Sequence, residues 1–275
     1  MSRVARVWGL PLAALTRAEA GEAVFALIDA GEPSYFITAN AHYAMLTAEH
    51  PELAPINERA AFILADGAPL VWASRRGPVP LPERVAGSDL IYDLCAMAAA
   101  RGKSVYFLGG GEGIAVEAAR RLQARYPGLR VAGTACPGPD ELRGPGVDRI
   151  IAAVREAKPD LLMVALGQPK GEFWLAKHLE ALGVPACVQV GATLDFVAGR
   201  VRRAPRLFQK TGLEWAYRIY TDPARLAPRY ARNARFLLAS VVGELAKGRR
   251  DRQQQGVPEG RPIAVGQAEA AGPSI

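Results

Sequence analysis

The run Leu161-Leu162-Met163-Val164-Ala165-Leu166 is apolar from end to end, introduced by Pro159-Asp160 and closed by Gly167. Such a run suits a central strand of a parallel sheet, covered on both faces, rather than a half-exposed strand that alternates. Helices must then lie on either side of it. Ser34–Thr38, Phe62–Ala65, Ser104–Leu108, Leu129–Ala132 and Ala186–Val190 have the composition of further strands, and Val4–Trp8 that of a short first one ended by Gly9. Between them lie helical stretches. A Thr16…Glu19 capping box opens one that runs to Ala30. Others cover Ala41–Glu49, Glu52–Arg59, Leu70–Arg75, Leu90–Arg101, Ile114–Tyr126, Val147–Ala157 and Phe173–Leu182. The alternation predicts an α/β fold with a mainly parallel sheet, right-handed crossovers and helices on both faces.

Polar or glycine-rich residues repeatedly follow the strands, so they gather at the carboxyl edge of the sheet, where such folds bind ligands. Asp66-Gly67 follows Phe62–Ala65, and Thr38-Ala39-Asn40 ends the strand before it. A lone carboxylate there either faces the crevice or caps the next helix and turns with Gly67. Gly109-Gly110-Gly111-Glu112-Gly113 follows another strand and precedes a helix. It is a phosphate-loop candidate or a tight turn. Its glycine spacing is shorter than the dinucleotide fingerprint, and no Gly-Lys-Ser/Thr follows.

The chain has 275 residues, enough for one large domain, or one domain with a small accessory piece. Its formal net charge of +7 argues for an anionic partner. Cys95, Cys136 and Cys187 lie far apart and suit reduced thiols; His42, His50 and His178 are unclustered, so no metal site is expected. No signal peptide and no spanning helix is evident, which predicts a cytoplasmic protein. We divide the chain into a catalytic domain at 1–199, a basic helical appendage at 200–247 and a disordered tail at 248–275. The appendage interleaves arginines with Leu213, Trp215, Tyr217 and Tyr220, and ends in a long helix over Ala224–Ala246. It supplies a membrane-docking face, a phosphate-binding face or merely a solvated one. No nucleic-acid module accompanies it.

Several ordered pieces carry a resemblance. They are Thr38-Ala39-Asn40, Asp66-Gly67, Glu83-Arg84-Val85-Ala86-Gly87-Ser88-Asp89, Phe107-Leu108-Gly109-Gly110 and Gly167-Gln168-Pro169-Lys170 with Glu172. Gly191 through Asp195 to Gly199, Arg203-Ala204-Pro205, Gly212-Leu213-Glu214-Trp215 with Tyr217-Arg218, and Pro223 with Arg225 complete the set. In order and spacing, over about Val4 to Ala246, the chain resembles the WecG/TagA/CpsF family of bacterial glycosyltransferases. The resemblance implies a Rossmann-like fold and transfer of a sugar from a UDP-sugar donor to a polyprenyl-diphosphate-linked glycan acceptor at the inner membrane face. It implies inversion at the anomeric carbon, with no metal and no cofactor. N-acetylmannosamine, its uronate or glucose are the donor sugars it suggests. Asp66 matches the proposed general base, and Thr38 a substrate-placing residue. By position, Asn40, Arg84, Gly109, Gly110, Gly111 and Gly167 join the substrate site. Gln168, Lys170, Glu172 and Asp195 are assigned to uridine or sugar, and Arg203, Arg206 and Arg218 to diphosphate or lipid phosphate. The appendage is expected to meet an anionic membrane surface, and self-association is left open. One departure stands out: the family often carries Gln between the Lys and Glu of its G-x-P-K-Q-E motif, where this chain has Gly171. The competing readings are a nucleotide-dependent oxidoreductase using the Gly109–Gly113 loop, and a basic membrane- or RNA-binding protein without chemistry.

Overall fold

A computed structural model describes residues 3–201, 204–205, 208 and 214–254. The chain opens with an antiparallel hairpin, β1 (Val4–Val7) and β2 (Leu10–Ala13), in which Val7 pairs with Leu10. The sequence predicted a single strand here. Both turn residues, Trp8 and Gly9, have positive φ, as a tight two-residue hairpin turn requires. Tryptophan seldom adopts that conformation, so the turn carries no sequence signal.

The expected parallel sheet follows. Six strands lie in the order β4-β3-β8-β7-β5-β6, and each neighbouring pair is parallel. In chain order they are β3 (Tyr35–Ala39), β4 (Ile63–Ala65), β5 (Ser104–Gly109), β6 (Arg130–Ala135), β7 (Leu161–Ala165) and β8 (Ala186–Gln189). The helices are α1 (Arg17–Ala30), α2 (Ala41–Glu49), α3 (Ala54–Arg59), α4 (Ala68–Ser74), α5 (Gly87–Arg101), α6 (Ile114–Arg125), α7 (Pro145–Ala157), α8 (Lys170–Leu182) and α9 (Thr193–Val197). A single 3-10 turn, Pro51–Leu53, replaces the start predicted for α3. α1 begins at the predicted capping box: the Thr16 hydroxyl accepts from the Glu19 N–H, and the Glu19 carboxylate accepts from the Thr16 N–H.

Both faces of the sheet are covered. Leu161 and Met163 of β7 join a core with Phe25 of α1, Leu94 of α5, Leu122 of α6 and Leu194 of α9. Leu162 and Val164, pointing the other way, are equally buried, on the side where α7 packs on α8 and α8 on α3. Each such side chain contributes roughly 1.5–3 kcal/mol by leaving water. This burial on both faces is why the uninterrupted apolar run is tolerated.

Two neighbouring strands send their chains in opposite directions. β5 leads outward to β6, and β7 leads the other way to β8, so their loops diverge and leave a crevice at the carboxyl edge. The strand ends themselves are stitched together, with the Gly110 N–H donating to Ala165 O at 2.9 Å. Gly109 has φ +102°, and a Cβ there would lie 2.6 Å from Ala165 O.

The helical C-terminal segment comprises α10 (Glu214–Thr221) and α11 (Pro223–Gln254). α11 continues beyond the predicted end at Ala246, into residues expected to be disordered; the rest of that tail lies outside the described residues. One compact unit reaches Asn233 and a second begins at Ala234. Within the first, the opening turns of α11 are tied to α2. Arg232 pairs with Glu49 at 2.7 Å, and His42 Nδ1 meets Asn233 Oδ1 at 3.0 Å. Among the described residues no helix is long and apolar enough to cross a membrane.

Replacing Gly109 by Ala should lower the unfolding free energy by about 2–3 kcal/mol, since backbone strain and a clash with immovable backbone add. Gly113→Ala, also at positive φ but with no atom within 4 Å, should cost about 1 kcal/mol. Urea unfolding of the two variants measures the difference.

Candidate active site

Asp66 emerges where the sequence placed it. β3 and β4 run side by side with Thr38 opposite Leu64 and Ala39 opposite Ala65, so Asn40 and Asp66 leave the sheet together. The Asp66 N–H donates to Ala39 O at 2.7 Å. Thr38 is buried, and its hydroxyl makes a long 3.4 Å contact to Gln189 O. Val85 N–H donates to Ala65 O, which folds the Glu83–Asp89 segment against the end of β4. Gly87 then starts α5 between the two side chains. A Cβ at Gly87 would lie 3.3 Å from Thr38 Oγ1 and 3.8 Å from Asp66 Oδ2. Hydroxyl and carboxylate thus both lie beside the first residue of a helix with no side-chain cap, the end whose N–H groups and dipole favour negative charge. Arg84, also at this edge, pairs with Asp89 at 3.3 Å.

Beside them runs a partly buried amide network. Asn40 caps α2, its Oδ1 accepting from the His42 and Tyr43 N–H groups. Its Nδ2 donates to Gln168 Oε1 at 3.3 Å, while Gln168 Nε2 donates to Thr38 O at 3.3 Å and to Glu172 Oε1 at 3.0 Å. Gln168 therefore uses its acceptor and its donors on protein. Glu172 is 2% exposed. Burial pushes its carboxyl up to about 7, against the smaller opposing effects of the Gln168 hydrogen bond and the local backbone. Its Oε2 and the Nε2 of Gln189 are both enclosed without a hydrogen-bonding partner among the described residues. Over α2, burial foremost and then the Arg229 guanidinium hold the His42 imidazole down at about 4.

The remaining predicted positions are spread along the same edge. Gly109, Gly110 and Gly111 form the turn from β5 into α6, and the Arg200 guanidinium sits directly against Gly111. Gly167 and Gln168 lead from β7 into α8, where Lys170 is exposed. Asp195 lies half-buried in the first turn of α9, and its carbonyl receives the N–H groups of Arg200 and Val201. Arg203, Arg206 and the side chain of Arg218 lie outside the described residues. A cavity of about 310 Å³ lined by Tyr92, Arg121, Leu122, Arg125 and Val197 includes none of the predicted site residues. Among the described residues no group of three His, Cys, Asp or Glu is arranged to hold a metal ion.

Sequence reasoning passed over Gln189 and Gly87. Gly87 belongs to the motif around Arg84, but nothing in that motif reveals that it touches both Thr38 and Asp66. Gln189 sits inside an apolar strand. Its one signal was the glycine at position 171, where a Cβ would lie 2.5 Å from Gln189 Cδ.

The sequence model of the glycosyl transferase WecG/TagA/CpsF family matches residues 5–251. The chain belongs to this family. This glycosyltransferase is 32% identical over 198 residues to the N-acetylglucosaminyldiphosphoundecaprenol N-acetyl-beta-D-mannosaminyltransferase of Bacillus spizizenii, covering 72% of its own length and 75% of the relative's. A protein of the same name from Staphylococcus aureus is 30% identical over 192 residues, with 70% and 74% covered. The family match spans every strand of the six-stranded sheet and nearly all of α11.

The buried carboxyl gives the transferase a distinct pH dependence. Because folding raises the Glu172 pKa from 4.5 to about 7, its contribution is complete below about pH 4.5 and is lost as pH rises through about 7. His42 acts oppositely. Its depressed pKa makes stability rise with pH between about 4 and about 6.5. The difference between wild type and Glu172→Gln removes the His42 contribution. Relative to wild type, the variant should gain roughly 3 kcal/mol between about pH 5 and about pH 8. Urea midpoints at the two pH values check the sign; a pH-independent difference would show that Glu172 titrates normally.

Proposed function

We propose that the protein is an inverting transferase that moves an N-acetylmannosamine-like sugar from a UDP-sugar to a hydroxyl of a polyprenyl-diphosphate-linked acceptor. Family membership and the names of both relatives support the sugar and the lipid-linked acceptor. The observation that carries the chemistry is the convergence of Asp66 and Thr38 on Gly87 at the carboxyl edge of the parallel sheet.

A single displacement needs one base. The acceptor oxygen attacks the anomeric carbon as its proton passes to an Asp66 oxygen, and the carbon–oxygen bond to UDP breaks. The pair of electrons leaves on the diphosphate. Backbone N–H groups of Gly111, Glu112 and Gly113 and the first turn of α6 receive that charge, with Arg200 against Gly111 adding a cation. Thr38 positions the substrate hydroxyl or sugar beside the base. Lys170, Arg84 and Asp195 surround the donor. Asn40, Gln168 and Glu172 act differently: their mutual hydrogen bonds suit them to fixing the strand ends rather than to gripping substrate.

In this reading residues 1–199 form the catalytic domain, and the helical segment at 200–247 completes the site through Arg203, Arg206 and Arg218. The same segment docks the protein on the inner membrane face. The formal charge of +7 supports attraction to an anionic leaflet, worth about 1 kcal/mol per basic residue near the surface.

Asp66→Asn should lower kcat for transfer from UDP-N-acetylmannosamine to a polyprenyl-diphosphate N-acetylglucosamine acceptor by about 10²–10⁴-fold. Calorimetric UDP binding should be retained. Unchanged turnover would remove Asp66 as the base. Co-sedimentation with phosphatidylglycerol vesicles should fall with added salt and on deletion of 200–246; undiminished binding by the deleted chain would assign docking to another surface.

A further inference from the structure

We propose that Gln189 is a positioning residue of this site, and that Gly171 is the space that admits it. The inference rests on the transferase reading above and concerns residues outside the motifs that support it.

Gln189 ends β8, the strand between β3 and β7. From there it touches both flanking segments of the site. Its carbonyl receives the Thr38 hydroxyl, and its Oε1 receives the Leu166 N–H, each at 3.4 Å. Leu166 directly precedes the Gly167-Gln168-Pro169-Lys170 turn. One residue thus bears on the hydroxyl beside Asp66 and on the turn that carries the Gln168 amide. Both contacts are long, and contacts of this kind commonly tighten when substrate binds.

The side chain has no other place to lie. It is 2% exposed and rests against the first turn of α8. A Cβ at Gly171 would come within 2.5 Å of its Cδ and 2.7 Å of its Nε2. That is tighter than packed atoms allow, and the obstacle is the terminal amide, with Cγ behind it at 2.9 Å, of an enclosed side chain. With no side chain at 171, an amide from the neighbouring strand fills the space.

Two polar atoms are left over around Gly171. Gln189 Nε2 and Glu172 Oε2 are both enclosed, each without a partner among the described residues. An unused buried polar atom is destabilising and uncommon. Gln189 so placed orders the site from below without touching the reacting atoms.

The test uses three variants of the full chain, assayed for UDP binding, urea stability and the turnover described above. Gln189→Met keeps the volume and removes the amide. It should bind UDP like wild type while kcat falls about tenfold. Gly171→Gln should lose at least as much, through the clash. Adding Gln189→Ala to Gly171→Gln moves the amide back to the helix and should restore kcat to within about threefold of wild type. Wild-type kinetics for Gln189→Met would overturn the proposal. So would full activity of Gly171→Gln alone, or a double variant no better than that single one. If Gly171→Gln does not fold, Gln189→Met decides alone. An inactive wild type would instead reject the transferase reading, and this proposal with it.

Discussion

A carboxyl group sealed beneath the first turn of α8 is the constraint on which the site depends. Taking a charge of that size out of water costs several kcal/mol per ion, and here the relief is partial. One Glu172 oxygen receives the Gln168 amide, while the other has no partner among the described residues. The protein holds the group nearer its neutral form and uses its fixed position. Through Gln168 the carboxyl is linked to Thr38 O and to Asn40, and through Asn40 to the start of α2. Two separate pieces of chain, 38–43 and 168–172, are thereby held in one arrangement at the edge where Asp66 emerges.

The sheet supplies the other half of the account. Because β5 and β7 are neighbours whose chains depart in opposite directions, the glycine turn after one and the Gln168 turn after the other border the same crevice. The Gly110–Ala165 hydrogen bond and the lack of a side chain at Gly109 let these two strand ends approach closely. Asp66 reaches the same edge from β4, three strands beyond β7, and Gly87 lies beside both it and Thr38. The proposed base, a hydroxyl and a set of backbone donors are therefore held by rigid elements, which is what a displacement at a sugar carbon requires of its protein.

Much of this was legible in residue order. The apolar run at β7 announced a strand buried on both faces, the Thr16 and Glu19 pair announced α1, and the polar residues after strands announced the carboxyl edge. What escaped was conformational or depended on distant contacts. Trp8-Gly9 turns through positive φ at a residue type that rarely does so. α8 starts at Lys170, not at Phe173, because a lysine and a glycine after proline lack a cap signature. That shift makes Glu172 the third residue of a helix and turns it into the interior, although a loop residue at the same place would face the crevice. Gln189 was hidden because an isolated polar residue in a strand reveals its purpose only when the neighbouring helix is placed against it.

The most direct measurement is the crystallographic position of UDP bound to the wild-type chain. The account predicts the diphosphate at the carboxyl edge of β5 and β7, against the Gly109–Gly113 turn, with its open end toward Asp66 and Thr38. UDP lodged instead among Tyr92, Arg121 and Arg125, with Asp66 remote from it, would contradict the account.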